Sequence, residues 1–173
     1  MNATLAAWND TAESSALEAM LACCGSKRWA AAMVALRPVT SVEALSDAAD
    51  RVWSKMEEAD WLEAFACHPR IGERKPAVAG PHVLSQSSEW SRQEQSSGST
   101  ANELLLTELA EDNQLYEQRF GFTYIVCATG KSAAEMLTIL KRRLASNREA
   151  ELREAAEQQR QIMQIRLGKW LVE

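Results

Sequence analysis

Helix-start signals recur along this chain at Asp10 with Glu13, Thr40 with Glu43, Thr100 with Glu103 and Ser132 with Glu135. In each pair a short polar side chain and a glutamate three residues on satisfy the orphan amides of a first helical turn from both sides. Behind each pair the apolar residues follow the helical period. Ala16, Leu17, Met20 and Leu21 run to a stop at Gly25, and Val42, Leu45, Ala49, Val52, Trp53 and Met56 follow Thr40. Leu104, Leu105, Leu109 and Leu115 lead from Thr100 through Arg119-Phe120 to Gly121, while Met136, Leu137, Leu140 and Leu144 follow Ser132. Ser26 caps a short helix carrying Trp29, Met33 and Val34 that halts before Pro38. An acidic joint, Glu57-Glu58, leads to Trp61, Leu62 and Phe65. Ser87 or Ser88 opens a helix from Glu89 to about Ser97, and Asn147 caps the last and longest one. The expectation is an all-α fold, a helical bundle of about eight to nine helices forming a single domain over residues 1–173.

Three places break this pattern. Ala66-Cys67-His68-Pro69-Arg70-Ile71-Gly72-Glu73 ends a helix at a histidine, and Pro69 biases His68 out of helical dihedrals. An imidazole at a rigid corner is suited to proton exchange, since its ordinary pKa lies closest to neutral. The loop from Pro69 to Ser87 is long for a compact domain, the kind that often edges a site. His82 within it has no periodic context and is read as an exposed bystander. The run Phe122-Thr123-Tyr124-Ile125-Val126-Cys127-Ala128 is extended and buried by propensity. With no second strand to pair with, its backbone groups need loops, side chains or a ligand, the alternative being that the run is a helical segment of weak periodicity.

Two polar patterns stand out on the helices. Ser91, Glu94 and Gln95, at i, i+3 and i+4, put a hydroxyl, a carboxylate and an amide on one face, which is either a solvated surface or a site. The last helix has the apolar stripe Leu152, Ala155, Ala156, Gln159, Ile162, Met163, Arg166, Leu167 and Trp170. A guanidinium inside that stripe pairs with a carboxylate, awaits an anionic ligand, or snorkels at the rim.

Charge and cysteines narrow the function classes. With 19 Lys and Arg against 24 Asp and Glu, a net charge of −5, the chain offers no basic field for nucleic acid. Cys23, Cys24, Cys67 and Cys127 lack C-x-x-C spacing, which fits free thiols in a reducing cytoplasm and makes a poor metal site. No apolar run is long enough to span a bilayer, and no secretory leader or C-terminal peroxisomal tripeptide is read, so a cytoplasmic location is expected.

His68-Pro69-Arg70-Ile71-Gly72, Glu94-Gln95, Arg119-Phe120-Gly121-Phe122 and Ile165-Arg166-Leu167 occur in an order that resembles the 2-oxo-4-hydroxy-4-carboxy-5-ureidoimidazoline (OHCU) decarboxylase family. The similarity spans nearly the whole chain, including Cys24 and Trp29 ahead of Arg37-Pro38. The resemblance implies an all-helical homodimer, without metal or organic cofactor, that converts the small molecule OHCU to (S)-allantoin at the end of urate breakdown. It also implies that His68 and Glu94 are catalytic, and that Pro69, Ser91, Gln95, Phe122, Tyr124, Ile125 and Arg166 bind substrate, partly through main-chain groups. The loop between His68 and Glu94 is longer here than the family pattern suggests.

The chemistry of these residue types fits. Loss of CO2 leaves an electron pair on the ring carbon, so a catalyst must stabilise developing charge and deliver a proton to one face. Arg166 suits the anionic substrate, and His68 suits acid/base work near the hydroxyl and carboxylate. Two other readings stand beside this one: a non-catalytic helical interaction module, and a hydrolase of a related ureide using His68 and Glu94 on a water.

Overall fold

The computed structural model describes residues 2–71, 89–90 and 103–173, and these are helical with no strand. The helices are α1 (Ala3–Asp10), α2 (Glu13–Cys23), α3 (Lys27–Val34), α4 (Val42–Trp53), α5 (Glu58–Phe65), α6 (Glu103–Phe120), α7 (Ala133–Leu144) and α8 (Arg148–Trp170). Residues 89 and 90 are also helical, at the start of the segment expected from Glu89. The loop from residue 72 onward, His82, the 91–97 part of that helix and the Thr100 cap lie outside the described residues.

The capping chemistry explains most boundaries. Ser132 Oγ accepts the Glu135 amide at 3.2 Å while Glu135 Oε2 accepts the Ser132 amide at 2.7 Å, the reciprocal box read in the sequence. Ser26 and Asn147 cap α3 and α8 as expected. Gly121 ends α6 at a φ of 81°, where a side chain would be strained.

Other boundaries differ from the sequence reading. Thr40 does not cap α4; Ser41, one residue later, accepts the Ala44 amide. Glu57 is more than a joint, since it forms a capping box with Asp60 at the head of α5. Asp10 does not open α2. It closes α1, and α2 begins at Glu13 behind Ala12 with no side-chain cap bond. The sequence reading missed α1 because, in a helix rich in alanine, its buried side chains are only Leu5 and Trp8. Asn2 holds it in place: its Oδ1 accepts the Leu5 amide and its Nδ2 donates to Leu171 O at 2.9 Å. Trp8 meets Trp170 edge to face with ring centroids 6.1 Å apart.

α8 is the axis of the bundle. α2, α4, α5 and α6 pack on it, α3 fills the angle between α2, α4 and α5, and α6 pairs with α7. The residues 123–128, expected to be extended, adopt no regular element, yet Tyr124 to Ala128 are buried. Their polar groups are met by side chains. Arg143, in α7, donates to Ile125 O at 2.6 Å, and Gln158, in α8, accepts the Cys127 amide at 2.9 Å. Arg143 lies 4% exposed in an ion pair with Glu151, itself 2% exposed, and its guanidinium stacks 4.9 Å from the Tyr124 ring centroid. Tyr116 completes the group by donating to Glu151 at 2.5 Å. A charge this deep is tolerable only when paired and hydrogen-bonded, which this arrangement provides.

Candidate active site

The corner at His68 is built by the end of α5. The Cys67 amide donates to Ala64 O and the His68 amide to Phe65 O, tightening the last turn before Pro69 forbids its continuation. Beyond it, Arg70 grips Glu117 of α6 with two bonds of 2.6 Å, and Asn113 Nδ2 donates to Ile71 O at 3.3 Å. The turn is therefore fixed at both ends. Behind it, Gly25 presses so closely that a Cβ there would lie 2.4 Å from Cys67 Sγ.

The His68 imidazole faces α8. Its Nε2 lies 2.7 Å from Gln159 Oε1. Burial among these elements first, and the Arg166 charge second, push its pKa down from the ordinary 6.5 to about 3, with the Gln159 contact acting in the opposite sense. The ring is thus neutral at physiological pH, able to take a proton rather than already holding one.

Arg166 is two turns beyond Gln159 on the same face of α8 and is 2% exposed, which removes the rim-snorkelling reading. Its positive charge acts on Cys23, Cys24, Cys67 and His68, so these groups lie near it. Burial pushes the Cys24 thiol up to about 12 and raises Cys23 and Cys67 as well. These thiols stay protonated, and thiolate chemistry has no support here. Among the described residues no group of His, Cys, Asp and Glu is arranged to hold a metal ion.

The structure brings together His68, Pro69 and Arg166 of the residues named from sequence. Ser91, Glu94 and Gln95 lie outside the described residues. Phe122 stacks on Phe65 at 5.5 Å and lines a cleft of about 360 Å³ with Leu62, Ala66, Glu117, Gly121 and Thr123, whose lining does not include His68 or Arg166. Tyr124 points into the core and donates to Met136 O at 3.1 Å, and the Ile125 carbonyl is taken by Arg143. Sequence reasoning assigned no role to Gln158 or Gln159. The signal for Gln159 was its place in the apolar stripe, an anomaly of the same kind as Arg166.

Comparison with known proteins bears on the family and the fold. The family model for OHCU decarboxylase matches residues 9–168. The chain is similar to the uric acid degradation bifunctional protein TTL of Arabidopsis thaliana, with 40% identity over 148 residues that cover 85% of this chain and 44% of that protein. It thus spans less than half the length of that relative. It is also similar to the 2-oxo-4-hydroxy-4-carboxy-5-ureidoimidazoline decarboxylase of Haloferax volcanii, with 24% identity over 133 residues covering 77% of this chain and 74% of that one. A crystal structure of OHCU decarboxylase in the presence of (S)-allantoin superposes with a TM-score of 0.76 at 36% identity, covering 90% of this chain and 99% of that chain. An (S)-allantoin synthase structure, 17% identical with a TM-score of 0.70 over 96% of this chain and 53% of that one, shares the fold.

Proposed function

The chain belongs to the OHCU decarboxylase family, and from that premise we propose that it is a carboxy-lyase that decarboxylates OHCU to (S)-allantoin in urate degradation. The observation that carries the reading is the neutral His68 held beside the buried Arg166 cation. An anionic substrate needs a fixed positive charge, and a buried guanidinium supplies it with little screening. Arg166 binds the anion, and His68 exchanges a proton with the hydroxyl next to the departing carboxylate. The C–C bond to the carboxylate breaks, CO2 leaves, and its electron pair enters the ring, to be quenched by a proton on one face. Glu94 and Gln95 bind ureido and ring N–H or carbonyl groups, with Ser91 and Pro69 as further substrate contacts by family likeness. Main-chain groups from Phe122 to Ile125 contact the ring. Neither metal nor organic cofactor takes part. A cytoplasmic homodimer belongs to the same reading, by family likeness.

The test generates OHCU in situ from urate with urate oxidase and hydroxyisourate hydrolase, adds the protein, and follows circular dichroism of the product. One enantiomer formed rapidly, and lost in His68→Ala with the fold retained, supports the reading. A signal no faster than spontaneous racemic decay overturns the activity, and wild-type turnover in His68→Ala overturns the role of His68.

A further inference from the structure

Gln159 is 0% exposed, and its amide is unevenly used. Its Oε1 contacts His68 Nε2 at 2.7 Å, whereas its Nε2 is buried without a hydrogen-bond partner among the described residues. An unsatisfied buried amide costs about 1–3 kcal/mol, and an apolar side chain of similar size avoids that cost. Core stability therefore does not explain a glutamine here, in the middle of the apolar stripe of α8. Its contact with the histidine does.

A carbonyl oxygen only accepts, so the ring nitrogen facing Gln159 Oε1 must carry the proton. In a neutral imidazole that leaves Nδ1 with the lone pair. We propose, building on the role given to His68 above, that Gln159 is a positioning residue that locks His68 in the Nε2–H tautomer and makes Nδ1 the atom that exchanges the proton with substrate. The bond also fixes the ring plane, because Gln159 sits on the central helix while the main chain of His68 is held by the end of α5. Without it, nothing holds the proton on Nε2, so the neutral ring samples both tautomers, and only one of them presents a base to the substrate.

The chain has two histidines, so the ring nitrogens are separable by ¹⁵N-detected NMR, with His68→Asn assigning the signals. The wild type is expected to show His68 protonated at Nε2 and bare at Nδ1. Gln159→Leu is expected to lose the single tautomer and lower kcat roughly tenfold with KM little changed, a part of the roughly 100- to 10,000-fold that a positioned base supplies. Gln159→Glu keeps an acceptor on Nε2, so it retains the tautomer and recovers more kcat than the leucine variant. A wild-type ring protonated at Nδ1, or a Gln159→Leu enzyme with unchanged tautomer and kcat, overturns the proposal. The wild-type spectrum needs no variant to fold, and it is independent of whether His68→Ala abolishes turnover, so this proposal and the role of His68 fail separately.

Discussion

The guanidinium of Arg143 donates to the main-chain carbonyl of Ile125 at 2.6 Å while pairing with Glu151 in the core. One buried cation thereby joins α7, α8 and the irregular segment 123–128. Arg143→Met leaves Glu151 as a buried carboxylate without its counter-charge and releases the Ile125 carbonyl. Unfolding in urea is expected to show a loss of about 3–5 kcal/mol, the cost of breaking rather than replacing a buried pair. The double variant Arg143→Met, Glu151→Met should lose less than Arg143→Met does by itself.

The contact between Gly25 and Cys67 gives a prediction of opposite design. A Cβ at residue 25 would lie 2.4 Å from Cys67 Sγ and 2.8 Å from Cys67 Cβ. Gly25→Ala should cost about 1–3 kcal/mol through overpacking and push on the turn that carries His68. Adding Cys67→Ala relieves only the sulfur clash, whereas Cys67→Gly relieves both. Melting temperatures of the two double variants should rank in that order, with glycine the better rescue if its own entropic cost stays near the 0.5–1 kcal/mol order.

The pKa of His68 sets a pH dependence with a definite sign. Burial first, and Arg166 second, hold it at about 3 against an ordinary 6.5. Above 6.5 the ring is neutral whether the chain is folded or not, and nothing is lost. Between 6.5 and about 3 the unfolded chain binds a proton that the folded one does not, so stability falls as pH falls. His68→Asn lacks this loss. The stability of the variant relative to wild type should therefore rise steadily on acidification from pH 6.5 to 4, measured by denaturant titration at each pH.

Removing the Arg166 charge should move the same ring. Arg166→Met deletes one of the causes that lower the His68 pKa, so an NMR titration is expected to find it above the wild-type value while burial still holds it below 6.5. In steady-state kinetics the variant should raise KM more than it lowers kcat, as befits a group that binds the anion in ground and transition states alike. An unmoved His68 titration would place the guanidinium too far from the ring to act on it.

The helices were legible because capping and periodicity are local. Ser132 with Glu135, Ser26 and Asn147 act within a turn of themselves, and each marks its helix start in the sequence. α1 escaped because what holds it is distant, a bond from Asn2 to Leu171 and a ring contact between Trp8 and Trp170. Of the site, His68 was visible through Pro69, and Arg166 through its conflict with an apolar stripe. Gln159 raised the same conflict without a charge, and an uncharged polar residue in a core is ordinary enough to pass. Arg143 stands in the last turn of α7, where the helix dipole favours a cation and no local pattern signals burial. Its burial depends on Glu151 and Ile125, which no local rule brings near it.

Gln158 and Gln159 are neighbours in sequence, and they reach different elements: one takes the amide of Cys127 in the irregular segment, the other meets the imidazole of His68 at the end of α5. Adjacent residues on a helix point about 100° apart and about 1.5 Å along its axis. The angle between those two contacts is therefore a property of helical pitch, metered by a single peptide unit. Changes of chain length outside α8 leave that gauge untouched. Deleting one residue between Gln159 and Arg166 would swing the guanidinium roughly 100° away from the ring while sparing the Asn147 cap of α8. Tolerance of length is thus unevenly distributed, and the final helix is the part that must keep count.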